Sequence, residues 1–338
     1  MTEYRAPEQD VVISSRVRLA RNYRDIPFAP QMNQDWSGET IRRVNESMKD
    51  QQGDYRLVRI AELNKSERNQ LVEHHLISYD LLKFEQFSAA LISSGETVSI
   101  MINEEDHLRI QGLLPGMQLE RAADLAFKAD DVLGADGNYA FDTQWGYLTS
   151  CPTNTGTGMR ASTMLHLPAL SAAGQVSAVL QTVSKLGLTV RGLYGEGSDA
   201  KGNLYQLSNQ VTLGRTEEDM VKTLIAATAQ LADHERSLRE TVREDDSMSM
   251  LDKLMRSVGI MGHARLMSSA EFMQRYSDLR LLAAMDIVDA SLSEMDQLMM
   301  DLQHGSLNVR AGEKMSGQER DVYRAELLRD YIRGIATK

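Results

Sequence analysis

The 338-residue sequence contains one cysteine, six prolines and few aromatic residues, which make up 6% of the chain. A single cysteine excludes an internal disulfide framework and a zinc site built from cysteines. No apolar run approaches the ~18 residues that a membrane-spanning helix needs, and the polar N-terminal segment lacks the apolar centre of a signal peptide. We therefore expect a cytoplasmic protein without a membrane partner.

Basic residues are also scarce relative to acidic ones, at 37 against 48, so the net charge is −11. This balance disfavours a general nucleic-acid or anionic-membrane binder. If such a chain binds a phosphorylated ligand, its positive charge must be gathered locally. The positions of the arginines are therefore informative.

Hydrophobic residues make up 42% and charged residues 25% of the chain, values typical of a folded globular protein. Strand-like alternation and helical spacing are mixed up to about residue 216, whereas the methionine-rich remainder shows helical spacing and no convincing strand. We predict an α+β fold, with an antiparallel sheet flanked by helices in a catalytic domain over residues 1–239. An all-helical domain is predicted over residues 240–338.

The segment most indicative of function runs from Thr149 to Leu165 and contains Cys151. Pro152 and the small polar residues after it stop regular structure, so we expect a strand over residues 139–149 to deliver Cys151 into a ligand-binding loop. Arg160 is predicted to begin the next helix, where the helix dipole and free N–H groups favour an anion. A thiol among arginines loses its proton more easily. A lone cysteine is more often a buried apolar residue, but the neighbouring residues favour a site.

Two arginines near the N-terminus are spaced as in a strand, in Ser14-Ser15-Arg16-Val17-Arg18. The alternation places Arg16 and Arg18 on one face, where two guanidinium groups can bridge phosphate oxygens. From these residues alone, a solvated sheet face is the more common explanation.

Adjacent carboxylates follow a strand-like segment, in Asn103-Glu104-Glu105-Asp106-His107-Leu108-Arg109. Neighbouring carboxylates repel one another unless a cation lies between them. A guanidinium substrate and a metal-bound nucleotide would both supply that charge. An acidic hairpin turn explains the composition equally well.

Three further segments carry candidate residues. Glu196 lies within a glycine-rich stretch that predicts a mobile loop able to close on a ligand. His74 and His75 are predicted on a helix, where adjacent side chains diverge, and no third ligand lies near, so we predict no metal site. Arg320 and Arg324 are one helical turn apart and can clamp an anion, although ordinary intrahelical ion pairs are the more common explanation.

Together these segments resemble the ATP:guanidino phosphotransferases. Cys-Pro-Thr-Asn-Thr-Gly-Thr from Cys151 is similar to the family's substrate-binding loop, with Thr155 where the family has an aliphatic residue. Ser-Ser-Arg-Val-Arg resembles its phosphate-binding strand, and Asn-Glu-Glu-Asp-His-Leu-Arg its catalytic motif. The chain has no P-loop and no His-Arg-Asp or Asp-Phe-Gly triplet, which disfavours P-loop and eukaryotic-type protein kinases.

The resemblance implies ATP and Mg²⁺ as cofactors. It implies that Glu105, Glu196 and Cys151 are catalytic, the two carboxylates flanking a substrate guanidinium. The implied ATP-binding residues are Ser14, Ser15, Arg16, Val17, Arg18, His75, Arg109, Arg160, Ala161, Ser162, Thr163, Met164, Arg191, Gly192, Leu193, Tyr194, Gly195 and Glu196.

Arg-Asp-Val-Tyr-Arg-Ala from Arg320 resembles the phosphoarginine-binding motif of bacterial protein-arginine kinases, which implies an allosteric site at Arg320, Asp321, Arg324 and Ala325. Kinases of free arginine or creatine carry a helical domain before the Ser-Ser-Arg-Val-Arg strand, whereas only 13 residues precede Ser14 here. The resemblance therefore favours arginines on damaged or regulatory proteins as substrates, marked for Clp-type proteolysis. It further implies a homodimer, a zinc-binding activator (McsA) and a Clp ATPase partner. A kinase for a small guanidino compound and a non-catalytic phosphoarginine-binding adaptor remain alternatives.

Overall fold

The structure, a computed structural model, describes residues 6–28, 33–51, 53–192, 200–245 and 247–337. Its strands are β1 (Val12–Arg21), β2 (Arg56–Arg59), β3 (Ala89–Ile92), β4 (Val98–Ile102), β5 (Leu108–Pro115), β6 (Phe141–Asp142), β7 (Gly146–Tyr147), β8 (Met159–His166), β9 (Leu188–Gly192), β10 (Leu204–Asn209), β11 (Val288–Asp289) and β12 (Ala336–Thr337). Its helices are α1 (Gln34–Met48), α2 (Lys65–Glu73), α3 (Leu119–Leu133), α4 (Pro168–Ala172), α5 (Val176–Ser184), α6 (Glu217–Asp245), α7 (Ser247–His263), α8 (Ser269–Ala284), α9 (Leu292–Asp301), α10 (His304–Ala311) and α11 (Gly317–Arg333).

Eight strands form one sheet in the order β2-β3-β4-β5-β1-β8-β10-β9, each antiparallel to its neighbours. One face of the sheet is covered by helices, because alternate residues such as Val17 and Leu19 are buried in a core shared with α1, α3 and α6. Helix α3 crosses β1 and β5. At Gly112 a Cβ atom would lie 2.1 Å from the carbonyl oxygen of Ala122, so only glycine permits this approach. The predicted α+β class is confirmed.

The helical region after α6 packs against one end of the opposite sheet face. Its core includes Ile13, Met164 and Leu204 from the sheet. Buried polar contacts join the two parts as well: the Glu73 carboxylate accepts the Gly305 and Ser306 amides at 2.7 and 2.8 Å. Helix α6 runs unbroken through residue 240, where the domain division was predicted. That division remains a prediction.

Several local predictions were wrong. Arg160 does not begin a helix but lies within β8, which is buried on both faces and therefore lacks the alternation that marks a half-exposed strand. Residues 139–149 form the short strands β6 and β7 around a turn, in which Asp142 Oδ1 accepts the amides of Gln144 and Trp145. The helical region also contains the two-residue pair of β11 and β12. None of the described helices is long and apolar enough to cross a membrane.

Candidate active site

The arginines predicted to surround phosphates all lie on the sheet face opposite α3. Residues directly opposite in an antiparallel pair share a face, and Arg18 lies opposite Arg160. Arg16 Nη2 donates to Gln206 Oε1 at 2.9 Å, and Gln206 is the partner of Arg191 in the next strand pair. The resulting arginine face comprises Arg16, Arg18, Arg109, Arg160 and Arg191.

Burial and mutual repulsion lower the pKa values of three residues of the arginine face. Burial lowers the pKa of Arg16 to about 10, helped by Arg109 and Arg160. The pKa of Arg18 is lowered by burial and then by Arg16, and that of Arg160 by burial and then by Arg191. The buried Nε atoms of Arg18 and Arg160 have no hydrogen-bond partner among the described residues. This concentration of charge and unused donors fits an anionic group such as a polyphosphate.

His75 borders the arginine face. Helix α2 ends at Glu73, so His75 lies beyond it in a turn with φ of 60° rather than on the helix that the sequence predicts. Its carbonyl oxygen accepts Gln111 Nε2 at 2.7 Å, and Gln111 lies opposite Arg18. Burial, then Arg16, lowers the pKa of His75 to about 3, so the imidazole is neutral at physiological pH. Its buried Nε2 contacts no hydrogen-bonding group in the described part of the chain.

The consecutive carboxylates occupy three different environments. Glu104 is buried and pairs with Arg109 at 2.6 Å. Asp106 is buried and accepts Asn22 Nδ2 and the Ser150 amide, both at 2.7 Å. Glu105 alone is exposed, which makes it the carboxylate available to a substrate.

The Cys151 side chain lies near enough to the Glu105 carboxylate to influence its pKa. Although Glu105 is exposed, partial desolvation of its carboxylate raises its pKa, the Asp106 charge adds to this rise, and Cys151 opposes it. A raised pKa makes a carboxylate a better proton acceptor. The structure thus places Glu105 and Cys151, two of the three predicted catalytic residues, near each other. The third, Glu196, lies outside the described residues, as do Leu193, Tyr194 and Gly195.

The Cys151 loop is held by hydroxyl groups. Thr212 Oγ1 donates to the carbonyl oxygens of Thr153 at 3.0 Å and Thr155 at 2.8 Å. Thr155, the departure from the family pattern, shares a 3.0 Å hydrogen bond with Thr149 Oγ1. Cys151 Sγ lies 3.0 Å from Thr153 Oγ1.

The sequence did not indicate the role of Arg21, which contacts the end of this loop from the opposite face of the sheet. Its side chain is buried, pairs with Asp130 at 2.7 Å and donates to the Thr157 carbonyl oxygen at 3.0 Å. Its guanidinium lies 3.5 Å from the ring centroid of Tyr147. Arg21 continues the strand after Arg18, but the odd spacing places it on the other face, and nothing local indicates its distant partners.

Other residues of the predicted ATP site face away from the arginines. Val17 and Ala161 are in the main core. Ser15 Oγ donates to the Gly116 carbonyl oxygen at 2.7 Å, and Thr163 Oγ1 lies 3.0 Å from Thr228 Oγ1. Of the other predicted ATP-site residues, those on the same face as the arginines are Ser14, Ser162 and Met164. Gly192 is the last residue of β9.

The C-terminal arginines lie where α9 ends and α10 begins. Arg324 is buried and donates to the carbonyl oxygens of Leu302 at 2.9 Å and Met267 at 2.7 Å, and to Asp321 Oδ1. Arg320 is half-buried and donates to the Met315 carbonyl oxygen. Ala325 is fully buried. Most of the hydrogen bonds of Arg324 are therefore made to other residues of the protein.

The described residues include no group of three or more His, Cys, Asp or Glu side chains arranged for a metal ion.

Residues 37–238 match the family described as "ATP:guanido phosphotransferase, C-terminal catalytic domain". The chain belongs to the ATP:guanido phosphotransferase family. Residues 247–338 match the "Protein-arginine kinase McsB C-terminal domain". The family and the phosphotransferase class predicted from the motifs are confirmed.

Curated relatives of this guanidino-phosphotransferase chain are named protein-arginine kinase. The one from Moorella thermoacetica is 46% identical over 336 residues, covering 97% of this chain and 95% of the relative. The one from Bacillus subtilis is 41% identical over 333 residues, covering 97% and 92%.

Solved structures of the family have the same fold. A crystal structure of lombricine kinase superposes with a TM-score of 0.59 at 26% identity, covering 70% of each chain. The duplicated taurocyamine kinase from Schistosoma mansoni, with bound transition-state analogue components, gives a TM-score of 0.60 at 25% identity, covering 67% of this chain and 33% of that one.

Proposed function

We propose that this chain transfers the γ-phosphoryl group of ATP to arginine side chains of proteins. The observation that carries the proposal is the proximity of two features within one family site. The arginine face, in which the buried Nε atoms of Arg18 and Arg160 lack partners among the described residues, suits the phosphates. Glu105, with Cys151 nearby, suits a guanidinium acceptor. The curated relatives' name and the match of residues 247–338 support a protein-borne acceptor.

The phosphates of ATP would lie against the arginine face, where the buried Nε atoms of Arg18 and Arg160 offer donors. Phosphoryl transfer depends mainly on positioning and on neutralising charge. The five arginines can both position the phosphates and neutralise their charge. Mg²⁺ would be held chiefly by phosphate oxygens and water, as it is in many nucleotide sites. When bound, it offsets phosphate charge near the acceptor.

The acceptor guanidinium must lose a proton as its nitrogen forms the new bond to phosphorus. Because the guanidinium pKa is ~13.8, deprotonation before transfer costs about 9 kcal/mol at neutral pH. Proton loss should therefore accompany N–P bond formation and cleavage of the P–O bond to ADP. Glu105 would accept the proton, and Cys151 would hold a neighbouring nitrogen. Glu196 would supply the second carboxylate.

We further propose the division into residues 1–239 and 240–338, a cytoplasmic homodimer, and regulation through phosphoarginine bound near Arg320, Asp321, Arg324 and Ala325. A zinc-binding activator (McsA) and a Clp ATPase would be its partners. The match of the C-terminal residues to the McsB domain supports these assignments.

A kinase for a small guanidino compound is the second candidate, since lombricine kinase and taurocyamine kinase share the fold. ³¹P NMR after incubation with Mg-ATP distinguishes the two candidates. Free L-arginine and an unfolded arginine-rich protein serve as parallel acceptors. We expect an acid-labile N–P signal on the protein alone. A signal on free arginine would favour the second candidate. No signal with either acceptor, even after addition of the zinc-binding activator, would contradict the kinase proposal.

A further inference from the structure

A cavity of about 300 Å³ lies between the sheet and the C-terminal helical region. The sheet contributes Ser14, Leu113 and Met164 to its lining, and the turn after α2 contributes His75. Helix α9 lines another side with Gln297 and Met300, and the β3–β4 connection contributes Glu96. The cavity therefore exists only because the two parts of the chain pack together.

The cavity continues the arginine face. Ser14 precedes Arg16 by two residues on β1, and Leu113 lies opposite Arg16. At a rise of about 3.3 Å per residue, Ser14 is roughly 13 Å along the strand from Arg18. Glu105 lies toward the other end, before β5 enters the sheet beside Arg21. A nucleotide with its terminal phosphate near Glu105 would thus direct its nucleoside toward the cavity.

The lining also suits a nucleoside. Leu113, Met164 and Met300 are apolar, and thioether sulfur packs favourably against aromatic rings. A few polar groups within an apolar pocket are typical of small-molecule sites, and about 300 Å³ is at the small end of their range. The neutral His75 imidazole, with its buried Nε2, adds a polar group able to bond a base or ribose.

We propose that α9 forms the outer wall of the nucleoside pocket, so that Met300 and Gln297 help to set the affinity for the base of ATP. This inference rests on the proposed use of ATP as phosphoryl donor. Asp301 links this wall to the residue beside His75. Gln297 Nε2 donates to Asp301 Oδ1 at 2.8 Å, and His74 Nε2 lies 3.5 Å from the same oxygen. The C-terminal region is in this way a direct part of nucleotide recognition.

Isothermal titration calorimetry on the full chain tests the proposal with Mg-ADP and with Mg-tripolyphosphate, which has no base. Met300→Ala should weaken Mg-ADP binding about five- to tenfold, because part of the apolar contact is lost. Gln297→Ala, at an exposed residue, should weaken it about two- to threefold. Tripolyphosphate binding should be unchanged in both. Met248→Ala is the matched control, since Met248 is 75% exposed on α7 and does not line the cavity.

Unchanged Mg-ADP affinity in both pocket variants would overturn the proposal. Equal losses for Mg-ADP and tripolyphosphate would also overturn it, because the effect would then not depend on the base. Wild-type protein that binds tripolyphosphate as tightly as Mg-ADP would show that the cavity adds nothing. Failure of the wild type to bind either ligand would instead reject the ATP site itself, and this inference with it.

Discussion

Arg18 and Arg160 lie directly opposite each other in the β1–β8 strand pair, on the same face of the sheet. Like charges at directly opposed positions destabilise a sheet. Within the described chain, neither buried Nε atom finds a hydrogen-bond acceptor. The pair therefore destabilises the free protein, whereas its charge and free donors can bind an anionic ligand.

Replacing Arg18 by methionine should stabilise the free protein and impair ligand binding. We expect the free energy of unfolding to rise by ~0.5–2 kcal/mol, as is common when a functional site's strain is removed. Mg-ADP affinity should fall at least about tenfold. Urea unfolding and calorimetric titration measure the two effects. Arg56→Met, at an exposed position of β2, should change neither. A parallel loss of stability and affinity would contradict this account.

Glu105→Gln should lower kcat by at least about a hundredfold, the range expected for loss of a general base. The exposed Glu62 provides a matched control, and Glu62→Gln should retain full activity. Circular dichroism would verify the fold of both variants. Near wild-type transfer by a folded Glu105→Gln protein would remove Glu105 from the mechanism.

The pH profile should report the raised pKa of Glu105. A base must be deprotonated, so kcat/KM should be retained above this pKa and lost as pH falls through it. The acid limb should therefore lie above the usual glutamate value. Cys151→Ala removes a side chain that lowers the pKa of Glu105, so it should move the limb to still higher pH. A limb that stays in place or moves to lower pH would argue against this coupling.

Asp130→Asn should destabilise the protein by about 3–5 kcal/mol, because it leaves the buried Arg21 charge without its partner. The Arg333–Asp330 pair has the same 2.7 Å separation but is exposed, and Asp330→Asn should cost less than ~1 kcal/mol. Comparing the two by urea unfolding isolates the effect of burial. Similar costs would show that burial does not determine the strength of the Arg21 pair.

Gly112→Ala should be severely destabilising, by more than ~2 kcal/mol, since its Cβ would meet the Ala122 backbone of α3. At Gly38, within α1, a Cβ would have no described atom within 4 Å outside the helix's own nearby backbone. Gly38→Ala should therefore stabilise by roughly 0.5–1 kcal/mol. Thermal unfolding of both variants tests this contrast, and a stable Gly112→Ala protein would contradict the close approach of α3.

Local patterns were sufficient where a side chain's function depends on its neighbours in sequence. Alternation placed Arg16 and Arg18 on one face, and motif resemblance led to the family and its phosphotransferase class. The same reasoning assigned Arg160 to a helix, because a strand buried on both faces shows no alternation.

Amino-acid order alone determined the family, the α+β class and the identity of the Cys151 and Glu105 segments. Only the tertiary structure assigned Glu104 to Arg109, Asp106 to Asn22 and Ser150, and Glu105 to Cys151. It also brought α9 to the sheet. Most of these partners are far apart in the chain, and their burial, which decides how strongly charges interact, arises only when the sheet and helices pack.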